Sequence, residues 1–264
     1  MNQDLYDLLK RCTDHTGLPV MQKELFLNTT EKYSKEEFRK TLAEFITIEK
    51  PPYPLKEFNM EKVVDNFRKL QKADFTKYLS TPDNVMEKYD DYKYSYKEYG
   101  LGIIDGPSTF NYCADSFMND LRMNCGSYGF KSPVQRWNDG DNIWGAFGPI
   151  WRGVNDSQSL QPKTYTMSFR LGTYIATQFK PIVAKTIYEM TDAKTVLDTS
   201  MGWGDRLTAF YASNATHYIG CDPNPNTFRR YKKMKRFYDK LTGGKKTVQI
   251  YNCGAEDLPW YDIH

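Results

Sequence analysis

The chain has 264 residues, 40% hydrophobic and 26% charged, with a net charge of +3, enough for one large domain or two smaller ones with ample core. So small a net charge excludes a strong global field for nucleic acid, and no apolar run approaches the ~20 residues of a membrane span. Five scattered cysteines without a C-x-x-C, three histidines and no secretory signal at the start exclude a disulfide framework, a zinc site and secretion, so a soluble, cytoplasmic protein is expected.

Apolar spacing of helical period predicts helices over residues 2–12, 35–45, 60–72 and 84–97, so that 1–99 reads as a helical amino-terminal region. A proline-rich segment, Lys50 to Pro54, separates the second from the third. Glycine, proline, asparagine and aromatics then dominate, and 100–160 reads as an irregular accessory region built around Trp137, Trp144 and Trp151. Those aromatics, interleaved with Lys131, Arg136 and Arg152, either form a core or stack on unpaired bases.

Helices are predicted again over 166–178 and 181–191, the latter with Pro181 in its first turn, where proline is tolerated. They lead into an apolar strand over 195–197, a loop containing Gly202 and Gly204, a helix, a second strand over 217–221 and then Asp222. A third strand is expected over 247–251, before Asn252 to Leu258. Strand, glycine loop, helix, strand and acid in this order predict an α/β, Rossmann-like sheet over 161–264, with a nucleoside ligand at its carboxyl edge. Trp203 reads as a hydrophobic plug over that edge, and Asp222 with Pro223 and Asn224 is also the sequence of a helix cap.

The loop, Asp198-Thr199-Ser200-Met201-Gly202-Trp203-Gly204, resembles motif I of the class I S-adenosylmethionine-dependent methyltransferases. Dinucleotide enzymes instead prefer G-x-G-x-x-G/A, and Leu207 stands where their third small residue would be. The resemblance covers about residues 165 to 260 and implies S-adenosyl-L-methionine as cofactor. Asp198, Ser200, Gly202, Trp203 and Gly204 would form its loop, and Asp222 with Pro223 would meet the ribose. Ala255, Glu256 and Asp257 are candidates for the adenine side, although acids in an exposed loop are ordinary. Phe179, Lys180 and Pro181 resemble the segment that precedes motif I in amino-directed DNA methyltransferases and closes over the methionine end.

That family implies methylation of an exocyclic amine of adenine or cytosine, in DNA rather than RNA, through a (D/N/S)-P-P-(Y/F) loop that follows the fourth strand in the commonest order. No fourth strand precedes His264, so the expectation is an incomplete sheet with strand one at an edge, completed by missing sequence, a partner chain or a second copy. In a permuted order, Phe45-Ile46-Thr47-Ile48 would be strand-like and Pro51, Pro52 and Tyr53 would be the catalytic loop. Lys50, a donor only, replaces the acceptor that chemistry needs, and a plain proline turn explains the same residues. A basic run from Arg229 to Lys246 is either a solvated helix face or a phosphate contact. The alternatives are a partner-dependent cofactor-binding subunit and an NAD-dependent oxidoreductase.

Overall fold

The computed structural model describes residues 2–80, 103–140, 143–148, 150, 159–261 and 263. The helix expected over 84–97, with Trp151 and Arg152, lies outside the described residues. In chain order the elements begin α1 (Gln3–Arg11), α2 (Lys23–Lys32), α3 (Lys35–Glu49), α4 (Met60–Lys72), β1 (Leu79–Ser80) and β2 (Ile103–Ile104). They continue with α5 (Asn111–Met123), α6 (Pro133–Asp139), α7 (Ile143–Ala146), α8 (Pro162–Gly172) and α9 (Pro181–Met190). Last come β3 (Thr195–Asp198), α10 (Asp205–Ala212), β4 (His217–Cys221), α11 (Pro225–Thr242) and β5 (Thr247–Tyr251). The chain divides into two compact units, residues 1–57 with 120–176 and residues 58–119 with 177–264. These interleave along the chain, where the sequence reading set three consecutive segments.

In the first unit the helix starts are fixed by side-chain caps. Asn2 accepts a hydrogen bond from the Leu5 amide at 3.2 Å to open α1, which buries Leu5, Tyr6 and Leu9. Ser34 and Glu37 form a capping box at α3, each accepting from the other's backbone amide, at 3.3 and 3.0 Å. Helix α2, which the periodicity did not predict, has a short apolar stripe in which Phe26 and Thr29 are buried.

Several expectations change here. Phe45 to Ile48, strand-like by residue type, are the last turns of α3, because Phe45 and Ile46 continue its buried stripe. The helix ends at Lys50, which adopts φ 50° in the left-handed region, ahead of Pro51. The supposedly irregular stretch contains α5, α6 and α7. Its glycines and prolines mark helix ends: Ser132 and Gln135 form a capping box, Pro133 is in the first turn, and Gly140 closes α6 at φ 73°. Helix α8 starts at Pro162 and stops at Gly172, earlier than predicted at both ends, because Gln161 and Thr164 cap it and Thr173 is extended.

The core of this unit is aromatic. Trp137 is 3% exposed, with its ring centroid 5.2 Å from Phe169, 5.8 Å from Tyr165 and 5.6 Å from Tyr53. Its indole N–H donates to the Pro51 carbonyl at 2.8 Å, and Tyr165 donates to the Pro19 carbonyl at 2.7 Å, so the polar edges of both rings are satisfied. Trp144 is the exception at 40% exposed, with the Arg39 guanidinium 4.7 Å from its ring.

The second unit is α/β. Its three-stranded parallel sheet has the order β3-β4-β5, with Thr195 opposite His217 and His217 opposite Thr247. The central β4 is buried from Tyr218 to Cys221, as a parallel strand covered on both faces should be, whereas β3 alternates exposed and buried. Helix α10 packs against α4, α9 and α11. Between α4, α5, α10 and α11 an aromatic cluster forms: the Tyr238 ring lies 4.7 Å from Phe67, 5.2 Å from Tyr211 and 6.3 Å from Phe117. Tyr211 donates to the Asp239 carboxylate at 2.7 Å, and buried Lys185 donates to Glu189 and to the Ala73 carbonyl at 2.6 and 2.7 Å. Among the described residues no helix is long and apolar enough to cross a membrane.

Candidate functional site at the carboxyl edge of the sheet

The loops that follow β3, β4 and β5 all emerge from the same sheet edge, the edge at which open α/β sheets bind ligands. Residues 199–204, 222–224 and 252–257 are thereby gathered in the second unit.

The first of these loops is held by its backbone. Gly202 and Gly204 have φ of 58° and 77°, a region that costs a side chain but not glycine. Gly204 immediately precedes α10 and is followed by the buried Asp205. A Cβ built on Gly204 would stand 2.7 Å from the end of the Met234 side chain. On Gly202 it would meet only the Ser200 carbonyl at 3.8 Å, so the space beside that residue is open. The hydrophobic plug of this loop is Met201, 1% exposed, and not Trp203, which is only half-buried. Met201 fits because β4 has a glycine beneath it: a Cβ on Gly220 would lie 2.6 Å from the Met201 sulfur. The Met201 amide also donates to the Cys221 carbonyl at 3.0 Å.

Both acids are engaged by protein donors. Asp198, at the end of β3, receives Arg206 Nε at 2.9 Å, Arg206 Nη2 at 3.0 Å, the Tyr218 hydroxyl at 2.6 Å and the Ser200 amide at 3.2 Å. Those four donors fill the lone-pair positions of one carboxylate, so Asp198 braces the loop against β4 and α10. Burial, reinforced by the Asp198 charge, pushes the Tyr218 phenol well above its ordinary pKa. It therefore remains a donor at any physiological pH.

Asp222, 8% exposed at the end of β4, accepts the Gly202 amide on Oδ2 at 3.0 Å and the Asn224 amide and Thr227 hydroxyl on Oδ1 at 3.0 and 3.2 Å. The capping reading of Asp222 and its reading as a loop acid thus coincide in one side chain. Asn224 caps α11 by accepting the Asn226 amide at 2.9 Å, and the Tyr231 hydroxyl donates to the Gly202 carbonyl. Asn252 adds the third loop, donating to the Asp222 carbonyl at 2.9 Å.

The other candidates lie as follows. Ser200 and Pro223 are exposed, and Glu256 and Asp257 are exposed on the single turn Ala255–Asp257. Glu256 folds back over Gly254, whose Cβ would meet its carboxylate at 2.5 Å. Phe179 is brought to the loop by Arg206, whose guanidinium lies 5.4 Å from its ring. Lys180 pairs with Asp105 at 2.9 Å, and Pro181 is buried in the first turn of α9. Gln178, beside Phe179, donates to Asp205 at 3.4 Å.

Pro51, Pro52 and Tyr53 belong to the first unit. Pro51 supplies the carbonyl that satisfies Trp137, and the Tyr53 ring is buried edge-on against Trp137 and Phe169 at 5.6 and 5.9 Å. Burial raises the Tyr53 phenol far above its usual pKa. Ser132 and Pro133 are the cap and first turn of α6.

Sequence reasoning missed Arg206, Tyr218, Met201 and Tyr231. A signal existed for Arg206, since a basic residue in the first turn of the helix after an acid-ended strand can fold back onto that acid. No protein family, curated protein or solved structure matched the chain in comparison, so its chemistry is argued from this geometry.

Proposed function

We propose that the chain holds S-adenosylmethionine at the carboxyl edge of β3 and β4 and serves methyl transfer to an exocyclic amino group of a base in DNA. The observation that carries this reading is the loop from Asp198 to Gly204 beside Asp222. Two left-handed glycines, open space at Gly202 and an acid at the end of β4 suit a nucleoside that approaches the backbone closely. Ser200, Gly202, Trp203 and Gly204 would line the cofactor, Asp222 and Pro223 its ribose side, and Phe179 to Pro181 its methionine end. Glu256 and Asp257 would lie near the adenine.

When bound, the cofactor supplies an activated methyl group. The chain's task is orientation: Asp198, Arg206 and Tyr218 fix the loop, and the loop fixes where the methyl points, which is the larger part of the rate for a transfer in line with an amine lone pair. Leu207, fully buried, stands where a dinucleotide-binding helix needs a small residue and argues against NAD.

A second reading, in which the chain is a cofactor-binding subunit that depends on a partner chain or second copy for catalysis, is favoured by the burial of Tyr53. A ring packed into the core cannot stack on an extruded base. Calorimetric titration with S-adenosylmethionine and, separately, NAD tests the cofactor: binding of the first alone is expected, and a folded chain that binds neither overturns the proposal. Methyl-transfer assays on DNA and RNA, with the chain alone and in any complex purified with it, separate the two readings.

A further inference from the structure

We propose that the exposed face of α11 is a docking surface for the phosphodiester backbone of duplex DNA. The choice of DNA rests on the methyl-transfer reading above; the surface itself rests on charge and geometry.

The basic run does not act as one block. Lys246 belongs to the interior: its ammonium donates to the carbonyls of Phe210, Ser213 and Ala215 at 3.0, 2.6 and 2.6 Å, and burial pulls its pKa down to about 8. Lys235 pairs with Asp239 at 2.7 Å, and that aspartate, the one acid in α11, also receives Tyr211. Arg230 is half-buried and Lys245 lies beyond the end of the helix, which leaves five exposed cations on α11: Arg229, Lys232, Lys233, Arg236 and Lys240. At 100° per residue they fall within an arc of about 100°, and from Arg229 to Lys240 the stripe runs about 16 Å along the axis. Thr227, Tyr231, Met234 and Tyr238 are buried on the opposite face, which fixes the roll of the helix and turns the cations outward. Among the described residues no carboxylate pairs with any of the five. Among the described residues only Lys232 has another partner, the Phe228 ring at 4.4 Å.

A straight row of unpaired like charges costs self-repulsion and finds its complement in a regular row of opposite sign. Each strand of duplex DNA carries one negative charge per ~3.4 Å of axis, so about 16 Å of helix runs past roughly five phosphates of one strand. A bilayer fits less well. Surface helices that bind membranes pair their cations with an apolar insertion face, and α11 has no exposed large hydrophobic residue.

The test is fluorescence anisotropy with a labelled DNA duplex, titrated with the whole chain at several salt concentrations. Five phosphate contacts predict a log–log salt slope of about −4.5, a loss of about 500-fold in affinity between 50 and 200 mM. The variant R229E/R236E/K240E should bind at least tenfold more weakly at the lower salt, with the slope falling to about −2. A control of equal charge change, R11E/K23E/K163E, in the first unit, should bind like the wild type. Circular dichroism checks folding of both variants, and cofactor calorimetry on the α11 variant should be unchanged. A wild-type chain that does not bind the duplex, equal losses in both variants, or tighter binding to duplex RNA or to anionic phosphatidylserine vesicles would each overturn the proposal. Because cofactor affinity is read separately, failure of the surface and failure of the methyl-transfer reading give different results.

Discussion

Replacing Asp198 by Asn is the sharpest probe of how the site is built. The Asp198 side chain is 5% exposed and that of Arg206 27% exposed, and their two contacts at 2.9 and 3.0 Å form a bidentate pair. Asn keeps the shape but has one acceptor oxygen, and its amide turns donors toward Arg206, Tyr218 or Ser200. Breaking a buried pair from one side costs about 3–5 kcal/mol; Arg206 reaches solvent in part, so the lower end, about 3 kcal/mol, applies. At roughly 2–4 °C per kcal/mol for a domain of this size, thermal melting followed by circular dichroism should shift down by about 6–12 °C. The double variant D198N/R206M strands no guanidinium and should recover at least 1 kcal/mol of that loss as a coupling energy. A shift under 2 °C in the single variant, or additive losses in the cycle, would refute the account of Asp198 as the brace of the loop.

Substitutions at the two loop glycines should separate stability from binding. Gly204→Ala should destabilise more than Gly202→Ala in urea unfolding, because both pay about 1–2 kcal/mol for a left-handed residue but only the former meets Met234. Gly202→Ala should instead lower S-adenosylmethionine affinity by the larger factor, and the reverse pattern would contradict the assignment of the open space. Thiol reactivity offers a check on burial: desolvation raises Cys113 to about 12 and Cys221 to about 11, so both stay protonated at pH 8. A disulfide reagent should label Cys12, Cys125 and Cys253 in the native chain, Cys12 the slowest since burial raises its pKa too, and all five cysteines after unfolding. Rapid native labelling of Cys221 would disprove the packing of Met201 and the loop against β4.

Much of the second unit was legible because parallel strands and the turns between them obey strong local rules. The strand from His217 to Cys221 is buried without alternation from Tyr218 onward, and Gly202 and Gly204 punctuate a turn that needs positive φ. The first unit was harder to read. Prolines and glycines between 100 and 160 suggest irregular structure, whereas Pro133 and Gly140 mark the two ends of a helix. Phe45 to Ile48, strand-like by residue type, extend the helix expected over 35–45, because Phe45 and Ile46 continue a buried helical stripe already established by Phe38 and Leu42. Within the site, Asp198 and Asp222 were visible as acids at strand ends. That Arg206 and Tyr218 would saturate the first, and Gly202, Asn224 and Thr227 would engage the second, depends on how the loop folds back, which no spacing encodes.

The seat of Met201 over Gly220 bears on how a ligand would be received. Its side chain, the contact of its amide with Cys221 and the Tyr231 bond to the Gly202 carbonyl anchor one short turn to β4 and α11 at once. A turn tied at so many points has little freedom left to lose, so a guest arriving there forfeits almost none of its affinity to ordering the host. Amide hydrogen exchange at 201 and 202 would accordingly be slow before any guest arrives, and selectivity would come from the fixed shape of the turn and not from its adjustment.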